Sequence, residues 1–516
     1  MRPRVASLAL LVAFPAALAG CVGNGGILGA GGPVPDAAAL ACIATICEFE
    51  STVDPDERQG NEVSVAVNPT DPRNIIATAK DYNPTDAGEC VYAGIYVTKD
   101  GGATWKNANV PGSPWRRLQD PTTPLTAFSR FWCVTDPVVA FGPDGTAYWT
   151  VMPYQCDRFS GSKTGRGVLP NGGFNDWFWT CSAMYVLVSE DGGETWPTAR
   201  EVDFGPQLEH DKQWIAAAPD GKTVLLCWDR GDPSVWNTGT PLDEQTRALE
   251  YRNRVACARS GDKGSTWTDP VDLPDDYGST PWIDYEAEGR AWMVTTHAAS
   301  PTERLIQVTS SADGLAWDAP AKVANYTMPA TGGEYGWPVL RGSDFRIVQA
   351  PSIAVDRSSG PDRGSVYVTW FDHAAGEGDV WLAASRDGKT WEAPIRVHDD
   401  DLARKADQFM PAVSVGPDGT VDVSWHDRRD DPANHLFDLY YAYSLNGGRT
   451  FSKNLRVTAE SSDEKWSHHQ NGMVFLGDYR DSDSVRGAVT LVWVDTRNEK
   501  ADVFVATVSR PSADGG

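Results

Sequence analysis

The sequence predicts an all-β chain built from repeated units. Three observations carry that reading: one turn sequence occurs six times, apolar strand-like runs flank the copies, and 49 Gly and 21 Trp are spread over 516 residues. The fullest copy is Ser189-Glu-Asp-Gly-Gly-Glu-Thr-Trp196, with near-copies at 98–105, 260–267, 311–317, 385–391 and 444–451. Recurrence at about 50–90 residues signals a repeat architecture. The chemistry of one copy is local. An Asp carboxylate accepts hydrogen bonds from the amides of its own turn, and Gly supplies the positive φ the turn needs. Strand runs such as Met184–Val188 lead into it, so each copy predicts a hairpin tip whose Trp folds back on its sheet. Asp100, Asp191, Asp262, Asp313 and Asp387 are therefore structural residues.

In chain order, Met1-Arg-Pro-Arg4 and the apolar run Ala6–Ala19 predict an export signal over residues 1–20. Leu18-Ala-Gly-Cys21 resembles a bacterial lipobox. That implies lipidation of Cys21, and Val22 after it favours an outer membrane or the cell surface. Residues 21–41 are mostly Gly, Ala and Pro, the composition of a flexible tether. One domain then spans 42–510, with a tail at 511–516. A net charge of −25 opposes binding to nucleic acid or to an anionic membrane face. Setting Cys21 aside, eight of the nine cysteines remain, an even number that suits an oxidising compartment. Cys227 with Cys257, Cys156 with Cys181, Cys42 with Cys47 and Cys90 with Cys133 are the pairings considered. No spacing gives a zinc site. The acidic run Asp399–Asp401 could take a calcium ion, but no spacing there matches a known loop, so no cofactor is assigned.

Seven strand clusters follow, starting near Val63, Val138, Trp214, Trp282, Ile353, Ala412 and Met473. The sixth shows the plan: Ala412–Val415, the turn Gly416–Gly419, Thr420–Trp425, Leu439–Tyr443, the repeated turn, then Leu455–Val457. The last cluster has neither the repeated turn nor a fourth strand, whereas 42–53 reads as one strand without a neighbour. A ring of sheets can be closed by lending such a terminal strand to the last unit.

The six turns resemble the Asp boxes, or BNR repeats, of sialidase-like β-propellers. The resemblance implies sheets arranged radially, here a seven-bladed β-propeller, with the six-bladed ring of true sialidases as the alternative. In that architecture the loops after the second strands and the approaches to the first strands share one face. They carry Lys80-Asp-Tyr82, Trp228-Asp-Arg230, Trp370-Phe-Asp-His373, Trp425-His-Asp-Arg-Arg429 and Trp493-Val-Asp-Thr-Arg497 on one side, and Arg58–Glu62, Asp136, Asp211-Lys-Gln213, Gln349, Asp407-Gln408 and His468–Asn471 on the other. An Asp repeated at equivalent places, as at 229, 372, 427 and 495, is more often a bracket that accepts from a neighbouring loop or pairs with an Arg.

Residues 356–510 resemble secreted bacterial exo-sialidase-like proteins through Trp425–Arg429, Gly477-Asp-Tyr479 and Trp493–Arg497. The resemblance implies that Arg58, Arg429 and Arg497 grip a carboxylate, since guanidinium forks match it in a bidentate way. It implies Tyr479 as nucleophile, with Glu62 or Asp81 handling the proton, because a phenol needs a base to attack. Asp427, Arg428 and Asp495 would line the pocket, and Trp177 and Trp179 would stack on sugar. The family's Phe-Arg-Ile-Pro has no counterpart at the first blade, where Arg58-Gln-Gly-Asn61 stands; Phe345-Arg-Ile-Val348 precedes the fifth blade and is set aside. The expectation is a surface-anchored, sialidase-like glycoside hydrolase acting on an extracellular glycan or glycoprotein. The alternative is a non-catalytic carbohydrate- or protein-binding propeller.

Overall fold

The computed structural model describes residues 47–50, 59–82, 91–110, 126–131, 133–154, 166–168, 174–176, 182–205, 208–231, 254–300, 303–332, 337–470 and 473–513. All of them lie in one compact unit, Ala41–Gly516. Seven four-stranded antiparallel sheets form the chain into a seven-bladed β-propeller. The inner strands are Gln59–Val67, Cys133–Phe141, Glu209–Ala217, Ser279–Tyr285, Ser352–Val355, Gln408–Val415 and Ser482–Val485. Each packs against the next, and the seventh against the first, which closes the ring. The two ends of the domain also meet in one sheet: Cys47–Glu50 pairs antiparallel with Asp502–Ser509 as the outer strand of the seventh blade. The lone strand expected near 42–53 does what its lack of a neighbour suggested, and a six-bladed ring is excluded.

The repeated turns hold themselves as their composition demands. Asp191 accepts from the Thr195 amide at 2.9 Å and its hydroxyl at 2.6 Å, while Ser189 accepts from the Gly193 amide at 2.8 Å. Asp100 and Asp262 repeat the pattern. Asp313 and Asp387, in the copies one residue shorter, accept from two successive amides instead. The tips share a face with the first turns of neighbouring blades. Asn74 donates to the Gly192 carbonyl, and Lys263 pairs with Asp144. Five Trp on second strands, 149, 228, 370, 425 and 493, are fully buried, three of them (228, 370 and 425) at the same register position.

Five inner strands share a feature that sets up the channel. Glu62, Asp136, Lys212, Thr280 and Met410 all have φ between 48° and 58°, and the register with the second strand shifts at each. These are β-bulges, which re-aim a side chain beside functional sites. Pro follows three of them, at 137, 281 and 411, where the missing N–H costs no ladder bond. The bulges explain why alternation in the sequence resumes only at Val63, Val138, Trp214, Trp282 and Ala412. Each inner strand in fact begins several residues earlier. In the last cluster, Met473–Phe475 pairs with His468–Gln470 as a separate ribbon, and the inner strand is Ser482–Val485.

Cys227 and Cys257 form a disulfide between directly opposed strand residues. Cys133 is disulfide-bonded too. Cys42, Cys90, Cys156, Cys181 and the lipidation candidate Cys21 lie outside the described residues. Asp191→Ala removes three hydrogen bonds to a carboxylate and should destabilise the fold by about 1–3 kcal/mol, read as a lower midpoint in urea with an unchanged slope.

Candidate functional site

One short stretch crosses the centre of the ring. Gly477 has φ 102° and sits so close to the first blade that a Cβ would fall 2.7 Å from the Glu62 amide nitrogen. After it, consecutive side chains fan out to different blades. Asp478 meets Lys212 of the third blade at 2.6 Å and both nitrogens of the Arg346 fork at 2.9 and 2.6 Å. Tyr479 packs edge-on to Trp214 and Trp282, of the third and fourth blades. Arg480 donates to the Met410 carbonyl and the Ser424 hydroxyl of the sixth blade. Asp481 accepts from the Ser64 hydroxyl and the Val65 amide of the first. Tyr479 therefore belongs to this crossing segment, ahead of the seventh blade's inner strand at Ser482–Val485.

Above the segment lies a cluster of alternating charge built largely from bulge residues. Lys80 binds Glu62 and, at 2.7 Å, Asp136. Lys212 reaches Glu62 at 3.3 Å, Asp211 at 3.6 Å and Asp478 at 2.6 Å. Phe475 lies under both Lys80 and Arg346, at 5.3 and 4.3 Å from its ring centre. Trp337 covers Arg346, and His468 stacks on Tyr82 with ring centres 3.6 Å apart. The side chains of Asp211 and Arg346 are each 22% exposed and that of Lys212 12%, while Glu62 is wholly covered. A ligand arriving from the channel mouth would therefore meet Asp211, Lys212 and Arg346 first.

The carboxyls are tuned apart. Burial, then the Asp136 charge, pushes Glu62 from 4.5 up to about 8. Burial, with Asp136 again, pushes Asp211 from 3.8 up to about 7. Burial would raise Asp136 as well, but Lys80 and Lys212 hold it well below the carboxylate range. Its carboxylate shares side-chain hydrogen bonds with both Glu62 and Asp211. At neutral pH an ionised Asp136 thus stands between two carboxyls that retain protons to far higher pH. Asp478 is also held low, by Arg346 and then Lys212, against its burial. Burial brings His468 down to about 4, which leaves it neutral.

The other residues singled out in the sequence take up different places. Arg429 clasps Asp427 through its amide, Nε and Nη2 and reaches Asp399 at 2.7 Å. Arg497 clasps Asp495 in the same way. In each blade the preceding Trp, 425 or 493, donates its indole N–H to the same Asp. These are brackets within the sixth and seventh blades, and the cations at the channel are Lys80, Lys212 and Arg346 instead. Asp229 is a bracket of the second kind, accepting from the Thr280 amide of the next blade at 2.9 and 3.0 Å. Arg428 is buried against Glu464 and Ser343. Asp81 neighbours Lys80 on one strand, so it faces the opposite side from the cluster. Among the described residues the Tyr479 hydroxyl has no hydrogen-bond partner, and burial raises its pKa well above the phenol value, so none of them primes it. Of Asp399–Asp401, the first holds Arg429, the second His398 and the third the Ala403 amide. Arg58, Trp177 and Trp179 lie outside the described residues.

No family model matches the sequence, and no curated protein does. Solved structures do align with the fold. A Hadza microbial sialidase aligns at 12% identity and TM-score 0.43, over 83% of this chain and 75% of that one. A protein of unknown function from Dyadobacter fermentans aligns at 13% and 0.44, over 91% of this chain and 100% of that one. An α-L-arabinanase from Penicillium chrysogenum aligns at 12% and 0.44, over 90% and 98%. Likenesses of this depth assign no activity to the chain.

The raised carboxyls make stability depend on pH. Glu62 prefers its proton in the folded state, so its contribution is complete below 4.5 and is lost as pH rises through about 8. Thermal stability should therefore fall across that window. Glu62→Gln should make the decline shallower, by up to about 1.4 kcal/mol per pH unit for the one group removed.

Proposed function

We propose that the chain is a glycoside hydrolase of the exported, surface-anchored kind its N-terminus suggests, acting on extracellular glycans by acid–base chemistry at the channel mouth. The observation that carries this reading is the chain of three carboxyls Glu62, Asp136 and Asp211. Neighbouring acids whose pKa values are pushed apart are the usual mark of an assigned acid and base. Asp211 is the general acid: it is exposed to the channel, and its pKa of about 7 lets it hold a proton at neutral pH and release it to a leaving oxygen. A proton lost from Asp211 is replaced from Glu62 by way of Asp136, which leaves the negative charge on Glu62 beside Lys80 and Lys212 until the water that takes the place of the leaving group returns a proton. Lys212 and Arg346 orient the sugar through hydroxyl or anionic groups, and Trp337 offers an apolar wall beside them. Sialosides are one such substrate class, and the tyrosine mechanism implied by the sequence resemblance is a distinct version of the same proposal.

A second reading, a non-catalytic carbohydrate- or protein-binding propeller, is favoured by two facts. Lys80, Lys212 and Arg346 are each ion-paired within the protein, and Asp478 is held too low to serve as an effective base.

A panel of fluorogenic glycosides, sialosides included, separates these. Turnover should decline as pH rises through about 7, and Asp211→Asn should lower it by about 10²–10⁴-fold. Tyr479→Phe should leave most of it; an equally large loss there would put the tyrosine back as nucleophile. Glycan binding with no turnover across the panel would establish the binding propeller.

A further inference from the structure

A second buried polar site lies on the other side of the crossing segment and takes no part in the chemistry above. Arg480 is fully buried, and its guanidinium makes two hydrogen bonds, to the Met410 carbonyl at 3.3 Å and the Ser424 hydroxyl at 2.6 Å. Both acceptors are neutral. Its Nε has no partner, and no carboxylate ion-pairs with it among the described residues. The adjacent Asp481 is committed elsewhere, to Ser64, Val65 and Ser482. The contrast with Arg428 is direct, since that equally buried arginine has Glu464 at 2.9 Å.

His426 is the second unusual group. It is buried, and neither ring nitrogen has a hydrogen-bond partner among the described residues. It stands two residues after Ser424 on one strand, hence on the same face as the hydroxyl that Arg480 binds. Phe409 and Phe437 pack around it, at 5.2 and 5.0 Å between ring centres. Burial and then the Arg480 charge hold the imidazole well below its usual pKa, so it is neutral and carries one N–H. The sixth blade and the crossing segment thus bring together a guanidinium without a counter-charge and an imidazole without partners, with Phe409 and Phe437 packed beside the imidazole. A lone buried charge is expensive to keep, and unpaired buried N–H groups add to the cost.

We propose that this site binds one monovalent anion of the halide class, held by the Arg480 Nε–H and the His426 ring N–H, as an internal counter-ion that locks the sixth blade to the crossing segment. A water molecule could satisfy the hydrogen bonds but would leave the charge unbalanced. A small spherical anion answers both, and a carboxylate or phosphate would have to displace the aromatic packing.

The test uses the full chain dialysed into sodium gluconate and then titrated with chloride at constant ionic strength. The unfolding midpoint should rise by roughly 1–3 °C as chloride saturates the site, by mass action on the folded state. In Arg480→Met, which replaces the cation with an apolar chain of similar length, the chloride dependence should vanish. Crystals of the wild-type protein grown in bromide should show an anomalous peak between Arg480 Nε and the His426 ring, a readout that does not require the variant to fold. No bromide at Arg480, or a chloride effect of the same size in Arg480→Met, would overturn the proposal.

Discussion

The structure depends most on the Asp478 carboxylate held between Lys212 and Arg346 at 2.6 Å from each. A propeller with a polar centre has a problem that its blades cannot solve alone. Inner strands run side by side, and the side chains aimed inward need partners across an open channel. Here the approach to the seventh blade supplies them. Gly477 gives the close passage, and each residue from Asp478 to Asp481 serves a different part of the ring. Removing a carboxylate from a buried network leaves its cations uncompensated, which is costlier than the pair is stabilising. The segment is thus a structural centre and the floor of the candidate site at once.

The bulges are the second half of the same arrangement. A non-glycine residue at positive φ costs about 1–3 kcal/mol, and five inner strands bear that strain at matching positions. At three of them the re-aimed side chain is an acid or a lysine, Glu62, Asp136 and Lys212, and all three meet in the cluster. At the other two, Thr280 and Met410, the same backbone device serves packing: the Thr280 amide meets Asp229 and the Met410 carbonyl meets Arg480. One backbone irregularity therefore does polar work on one side of the ring and structural work on the other. Strain at functional positions is retained where the surrounding fold over-determines it.

Much of the architecture was legible in the sequence because its signals are local. The turn around Asp191 is complete within eight residues, and the missing outer strand of the last unit pointed to the strand at Cys47–Glu50. The bracket reading of Asp229, Asp427 and Asp495 followed from their repetition. The site was less legible, because it is assembled across the ring. Arg346 was set aside since it precedes the fifth blade, yet a channel brings the approaches of all blades together whatever their order. Arg429 and Arg497 looked free by position, and their carboxylate partners two residues earlier in each motif were the signal that they were not. Lys80 was visible in Lys80-Asp-Tyr82, but strand alternation gives the channel to the lysine and the blade interface to Asp81. The Asp-Pro, Thr-Pro and Met-Pro pairs at 136, 280 and 410 were the one sequence trace of the bulges.

The claim that the crossing segment organises the centre is tested most directly by a double-mutant cycle on the Asp478 and Arg346 pair. Urea unfolding of Asp478→Asn, Arg346→Gln and the double variant gives their coupling energy without assuming any activity. Residues in one buried ionic network couple by about 0.5–3 kcal/mol, and the bidentate geometry predicts a value above about 1 kcal/mol. Additive losses, with coupling indistinguishable from zero, would contradict the account.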